Sequence, residues 1–204
     1  MRTVTISPGF TEAERPQVAG LYWQAFSGKL GPVMRPEHHA LTFIASVLDP
    51  QFALCARDAD GTLLGVAGFK TASGALVDGG LRDMAHIYGW AGALWRGTAL
   101  SLLERDTVTD TLLMDGIFVA PAARGLGVGT MLLRAIKREA VDLGLSGVRL
   151  DVIDTNPRAR ALYEREGFVA GETEHLGPLR HIFGFSSATK MVCPSGCDCR
   201  NAAN

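Results

Sequence analysis

Arg124-Gly125-Leu126-Gly127-Val128-Gly129-Thr130 is the stretch of this 204-residue chain whose residue types and spacing best suit chemistry. Glycine at every second position leaves little side-chain bulk over the start of a helix, so a ligand can approach the backbone N–H groups that a helix start leaves without partners. The helix dipole adds positive potential at the same place, and Arg124 adds a planar, permanently charged fork suited to phosphate oxygens. The expected ligand is a phosphate-bearing anion. Two common glycine motifs do not fit. A P-loop needs Gly-Lys-Ser or Gly-Lys-Thr, which the chain lacks, and the dinucleotide fingerprint needs Gly-x-Gly-x-x-Gly, whereas Gly125, Gly127 and Gly129 stand two apart. The competing structural reading is that the glycines merely ease a tight strand-to-helix turn.

The elements around this segment must hold it still. Thr111 to Val119 reads as a strand, and a helix over Gly127 to Leu143 lines up Val128, Met131, Leu132, Ala135, Ile136, Ala140 and Leu143 on one face that packs on a sheet. After a strand at Gly147 to Ile153 comes a second ordered segment, Asn156 to Phe168. There Asn156 suits a helix cap, Pro157 the first helical position and Gly167 the exit.

Taken in order, R-x-x-G-x-G at Arg124 to Gly129 and N-x-x-A-x-x-L-Y-x-x-x-G-F at Asn156 to Phe168 resemble the GNAT superfamily of N-acetyltransferases. The resemblance is close over about Leu112 to Met191, and the first hundred residues agree with it only in their order of elements. It implies an α/β fold with a mixed, mostly antiparallel sheet flanked by helices, splayed open beside the strand that ends at Val119, with acetyl-CoA in the cleft. By the same resemblance the backbone of Ile117, Phe118 and Val119 runs beside the pantetheine arm. The amides of Gly125, Leu126, Gly127, Val128, Gly129 and Thr130, with Arg124, hold the pyrophosphate. Asn156 hydrogen-bonds the pantetheine region and Arg160 lies near the nucleotide end. The implied activity is transfer of an acetyl group to a primary amine by direct attack in a ternary complex, on a small-molecule or peptide acceptor. A non-catalytic acyl-CoA-binding sensor or interaction module is the alternative, and retention of Tyr163 argues against it.

Such a transfer needs a proton for the departing thiolate and a neutral amine. From its place in the motif Tyr163 is the candidate acid, because a phenol of pKa near 10, above the roughly 8.5 of a thiol, stays protonated and can donate a hydrogen bond or a proton as negative charge grows on sulfur. An amine of pKa near 10.4 costs about 4.6 kcal/mol to deprotonate at neutral pH, so a base helps. Asp115 is the candidate base, direct or through water, since strict alternation puts it on the strand face of Ile117 and Val119. A solvated or capping carboxylate is the bland reading of Asp115. Cys55 lacks the context of an activated nucleophile, which favours direct attack over an acyl-cysteine, and the five histidines sit in no recognisable motif.

The remaining sequence sets the frame. With 20 Lys plus Arg against 21 Asp plus Glu, the net charge of -1 offers no broad positive field to nucleic acid or anionic membrane. Met1 to Phe10 has no apolar stretch of signal-peptide length, so the expected location is cytoplasmic. A strand at Arg2 to Ser7 precedes a helix from near Pro16 to about Phe26, a helix at Glu37 to Leu48, and a hairpin of Phe52 to Arg57 with Leu63 to Lys70. Gly28 to Pro36 and Ser73 to Gly80 read as short linkers, and Phe168 to Thr173 and Ile182 to Met191 as closing strands. Leu81 to Leu103 is too interrupted by charge to span a bilayer and reads as a long helix inserted at about residues 81–104. Its exposed residues have three uses open to them, a homodimer interface, a lid or core, with core packing and a part in the acceptor pocket preferred. One domain over residues 1–192 is expected, followed by a tail at 193–204 whose Cys193, Cys197 and Cys199 are read as free thiols with no metal site.

Overall fold

The computed structural model describes residues 3–101 and 110–196. The ends of the expected first strand and long helix, at Arg2 and at Leu102 and Leu103, lie outside the described residues, as do Cys197 and Cys199. In chain order the elements are β1 (Thr5–Pro8), α1 (Arg15–Met34), α2 (Glu37–Val47), β2 (Ala53–Arg57), β3 (Leu63–Thr71), β4 (Gly74–Ala75), α3 (Leu81–Ser101), β5 (Leu112–Val119), α4 (Val128–Asp142), β6 (Gly147–Ile153), α5 (Pro157–Arg165), β7 (Val169–His175), α6 (Arg180–Phe183) and β8 (Ser187–Pro194). The strands make one sheet in the order β1-β2-β3-β5-β6-β8-β7, with β4 paired to the end of β3. Among the described residues only β5 and β6 run parallel. This is the mixed, mostly antiparallel sheet that the resemblance implies.

Helices cover both faces. A side chain at Gly65 would meet Leu132 of α4, and one at Gly116, which pairs with Gly68, would meet Phe26 of α1. Gly65 and Gly68 are three apart on β3, an odd number, so α4 and α1 lie on opposite sides. On its side α4 buries Val128, Leu132, Leu133, Ala135 and Ile136 against the sheet.

Three expectations change. First, α1 does not stop at Phe26 but runs through Gly28, Gly31 and Pro32 to Met34, because Val33 and Met34 are buried and their packing outweighs poor local propensity. The supposed linker there is helix. Second, the inserted helix is broken: Gly89 sits at φ +70°, and while Met84 and Ala93 are buried, Leu81, Trp90, Leu94 and Trp95 stay exposed, so core packing accounts for only part of α3. Third, β7 extends to His175, and a single turn, α6, occupies Arg180–Phe183, so β8 starts at Ser187 rather than at Ile182. At its far end β8 continues to Pro194. Cys193, placed by sequence in a loose tail, is a buried sheet residue opposite Val148.

The entry to α1 carries an ionic clamp. Thr11 N–H donates to Glu14 Oε2 at 2.7 Å and Glu14 N–H donates to Thr11 Oγ1 at 3.3 Å, a capping box closed one turn before Pro16. Arg57 of β2 donates to both Glu14 oxygens at 2.9 and 2.8 Å, and to Ser7 Oγ and Gly9 O, so α1, β1 and β2 meet in one network. The Arg57 guanidinium, helped by Thr11, holds the Glu14 carboxyl down at about 2 against partial burial, from an ordinary 4.5. A depressed pKa stabilises the fold above pH 4.5, and that contribution disappears as pH falls towards 2. Glu14→Gln should therefore lower unfolding free energy by roughly 2–3 kcal/mol at neutral pH. In urea titrations, the gap to the parent protein should close progressively below pH 4.5.

Candidate active site

The parallel pair β5 and β6 is joined at only two positions, Leu112 to Val148 and Leu113 to Arg149. Beyond them β5 remains paired with β3 as far as Val119, and β6 remains paired with β8 along its whole length. Each half of the sheet stays whole while the two halves part, and the wedge opens towards the carboxyl ends of the strands. A bulge marks the place: Phe69 opposes Met114 and Gly68 opposes Gly116, so Asp115 is the extra residue on β5. Bulges sharpen local twist, which carries β5 away from β6 just past their last shared pair.

The bulge also corrects the reading of Asp115. Strict alternation put it on the face of Ile117 and Val119, but an inserted residue inverts the parity on its amino-terminal side. Asp115 instead acts on Tyr22 of α1, whose phenol is pushed well above its ordinary pKa, first by burial and then by the Asp115 charge. Tyr22 in turn packs edge-on against Phe118, with ring centres 5.3 Å apart.

A cavity of about 910 Å³ occupies the wedge and continues under α1 and α3. Its walls bring together four of the residues singled out by sequence: Asp115, Ile117, Asn156 and Tyr163. Phe118 is buried in the aromatic cluster with Tyr22 and Phe26, and only its backbone follows the strand edge. The walls also include Tyr22, Lys29, Asp151 and Phe185, which sequence reasoning missed. Two of these belong to α1, whose pattern gave no cue to its position over the sheet. Asp151 carries the plain period-two signal of β6, which could have placed it beside the wedge.

The loop Arg124 to Thr130 borders the cavity rather than lining it. Gly125 and Gly127 both sit at φ +80°, a region costly for any residue with a Cβ, and a Cβ at either would find open space. The amino end of α4 has no side-chain cap and no acidic residue in its first turn. Its first N–H groups therefore have no side-chain acceptor and lie at the positive end of the helix dipole. Arg124 is exposed and donates from Nε to Val119 O at 3.2 Å, which ties it to the end of β5. Val128 turns its side chain into the core, half-exposed Thr130 lies one turn in, and Leu126 points outward. A Cβ on Gly129 would lie 3.6 Å from Leu162, so the start of α4 abuts α5.

Asn156 caps α5, its side-chain oxygen accepting from Ala159 N–H at 3.2 Å. The other end is fixed by Glu166, which receives Arg134 at 2.9 and 3.0 Å on its carboxylate and Lys137 at 2.9 Å on its carbonyl, both from α4. Between these anchors Tyr163 is 8% exposed, and burial pushes its phenol up to about 12. Arg160, expected near a nucleotide, is paired on the exposed side of α5 with Glu164 at 2.9 Å and is not on the cavity wall. Cys55 is buried in β2, and burial lifts its thiol to about 11, the wrong direction for a nucleophile. Among the described residues no group of three or more His, Cys, Asp or Glu converges as a metal set, and no helix is long and apolar enough to cross a membrane.

Known proteins bear on this arrangement. A model of the acetyltransferase (GNAT) family matches residues 15–168, and the chain belongs to that family. A thialysine N-epsilon-acetyltransferase of Bos taurus is 39% identical over 54 residues, covering 26% of this chain and 32% of that enzyme. The chain thus matches only about a third of that relative's length. Among solved structures, an N-acetyltransferase from Staphylococcus aureus Mu50 superimposes with a TM-score of 0.67 at 16% identity, covering 93% of this chain and 100% of that one. A GCN5-related N-acetyltransferase from Kribbella flavida gives 0.60 at 18% identity, covering 94% and 97%. At these identities the two structures establish the fold.

Gly127→Ala should strain the loop by about 1–2 kcal/mol. Calorimetric titration with acetyl-CoA should show five- to thirtyfold weaker binding, whereas Leu126→Ala, trimming an exposed side chain, should leave the affinity within about twofold.

Proposed function

We propose that the protein transfers the acetyl group of acetyl-CoA to a primary amine, by direct attack in a ternary complex. The observation that carries this reading is the wedge between β5 and β6, with the uncapped amino end of α4 at its border and Tyr163 in its wall. The residues fit an acyl-CoA: an anion site without competing carboxylate, open strand backbone, and a cavity large enough for an arm and an acceptor. Arg124 and the amides of Gly125 to Thr130 would hold the pyrophosphate, Ile117 to Val119 and Asn156 the pantetheine arm, and Arg160 the nucleotide end. The bovine relative is named for acetylation at an ε-nitrogen, which supports an amine acceptor.

Acetyl-CoA supplies an acyl group activated as a thioester. The chain's own residues supply the proton handling. As the C–N bond forms and the C–S bond breaks, nitrogen must lose one proton and sulfur must gain one. Asp115, on the cavity wall at the bulge, would take the proton from nitrogen, directly or through water. Tyr163 would donate one to sulfur as the thiolate forms, and proton exchange with solvent restores both side chains. Burial serves this second role, because a phenol raised to about 12 stays protonated throughout the pH range in which amines become nucleophilic.

CoA release with a panel of amines tests the proposal. Tyr163→Phe should cut kcat by about a hundredfold and leave the KM for acetyl-CoA within about twofold. The kcat profile of the parent protein should show no basic limb from Tyr163 below about pH 11, since the raised pKa moves that limb upward. Failure of every amine to release CoA, with acetyl-CoA bound, would overturn the enzymatic reading.

A further inference from the structure

A second pocket, of about 100 Å³, lies on the sheet where β6, β8 and β7 run side by side. It shares Lys29, Asp151, Ile153 and Phe185 with the wedge cavity, so the two spaces have a common wall. Arg149 of β6 forms part of the pocket, opposite Leu113 at the closed root of the wedge. Its side chain is 8% exposed, and its Nε makes no hydrogen bond among the described residues. The paired carboxylate, Asp151, stands 3.6 Å from Nη2, beyond hydrogen-bond distance. A buried N–H without an acceptor opposes folding, and a guanidinium whose residue lines a pocket can turn its N–H groups towards an oxygen that a ligand brings.

The surroundings narrow the ligand. A guanidinium fork suits a planar carboxylate. Lys29 and Lys190 add positive charge, while Asp151, Glu172 and Glu174 balance it, leaving three groups of each sign. Lys190 is drawn to Glu172 at 3.8 Å, and the Lys29 ammonium lies 5.9 Å from the Phe185 ring at the shared wall. Such a balanced pocket accepts a singly charged carboxylate or a zwitterion more readily than a doubly charged phosphate. Its volume suits a carboxylate with a carbon or two.

We propose that this pocket anchors the acceptor: Arg149, with Lys29 at the common wall, receives a carboxylate on the same molecule whose amine is acetylated. The acceptors are then amino-acid-like rather than simple alkylamines or polyamines. This rests on the transfer activity proposed above.

Matched pairs that differ only in the carboxylate test it: lysine against cadaverine, β-alanine against ethylamine, phenylalanine against phenethylamine. In CoA-release assays the carboxylated member should show at least about tenfold higher kcat/KM. Arg149→Met should raise its KM by about tenfold or more, without changing the KM for acetyl-CoA or the rate with the carboxylate-free partner. Lys29→Gln, at a half-buried site, should act in the same direction by several-fold and guards against a folding defect in the Arg149 variant. Directly, the Nε–Hε NMR resonance that disappears in Arg149→Lys should shift on titration with the acids and not with the matched amines. Equal turnover of both members with an unmoved resonance would overturn the subsite and leave the transfer activity standing. A shifted resonance with no amine acetylated would overturn the transfer activity, and the acceptor role with it.

Discussion

The site depends on one constraint, that two adjacent parallel strands share only two residue pairs and then separate. Strand pairing is normally continued wherever backbone allows, because an unpaired edge exposes N–H and C=O groups that invite other chains. Here each strand stays with its outer neighbour while the inner edges part. β6 is committed to β8 over all seven residues, β5 is committed to β3, and the bulge at Asp115 adds twist where the common pairing ends. The inner edges therefore present backbone groups to the wedge, a surface suited to a ligand that itself carries amides.

Separation of the halves would be loose without α4. That helix packs on β2, β3, β5 and β6, across both sides of the opening, with Leu132, Leu133 and Ile136 fully buried. Each such side chain contributes roughly 1.5–3 kcal/mol of burial, so the position of the amino end is set by the core and not by the loop before it. From α4, Arg134 and Lys137 reach Glu166 and fix α5, which carries Tyr163. The uncapped amino end of α4 and the Tyr163 phenol are thus two ends of one packed unit.

Local chemistry was legible in the sequence and tertiary placement was not. Helix starts with glycine, a capped Asn-Pro entry and an amphipathic α4 depend on neighbours within a turn or two, and the structure has them where the residues imply. What escaped depends on distant partners. Burial of Val33 and Met34 carries α1 through two glycines and a proline, which no local propensity foretells. The parity of Asp115 depends on a bulge against β3, visible only once the register of Gly68 and Phe69 is known. Cys193 looks like tail until β6 offers it a partner at Val148. Arg149 looks like an ordinary outward residue of an alternating strand, and nothing in its neighbours along the chain announces that it is buried.

Burial shifts Cys55 and Tyr163 in the same direction, the thiol to about 11 and the phenol to about 12, with opposite consequences. A nucleophile must ionise, so desolvation silences Cys55. A group proposed to donate a proton must stay protonated, and desolvation keeps the Tyr163 phenol so. What distinguishes the two sites is therefore the role each could fill and the strand to which each belongs, since β2 lies two strands from the wedge and α5 lies against it. The opening thus brings a neutral phenol carried by α5 and a carboxylate carried by the bulge of β5 to the wall of one cavity.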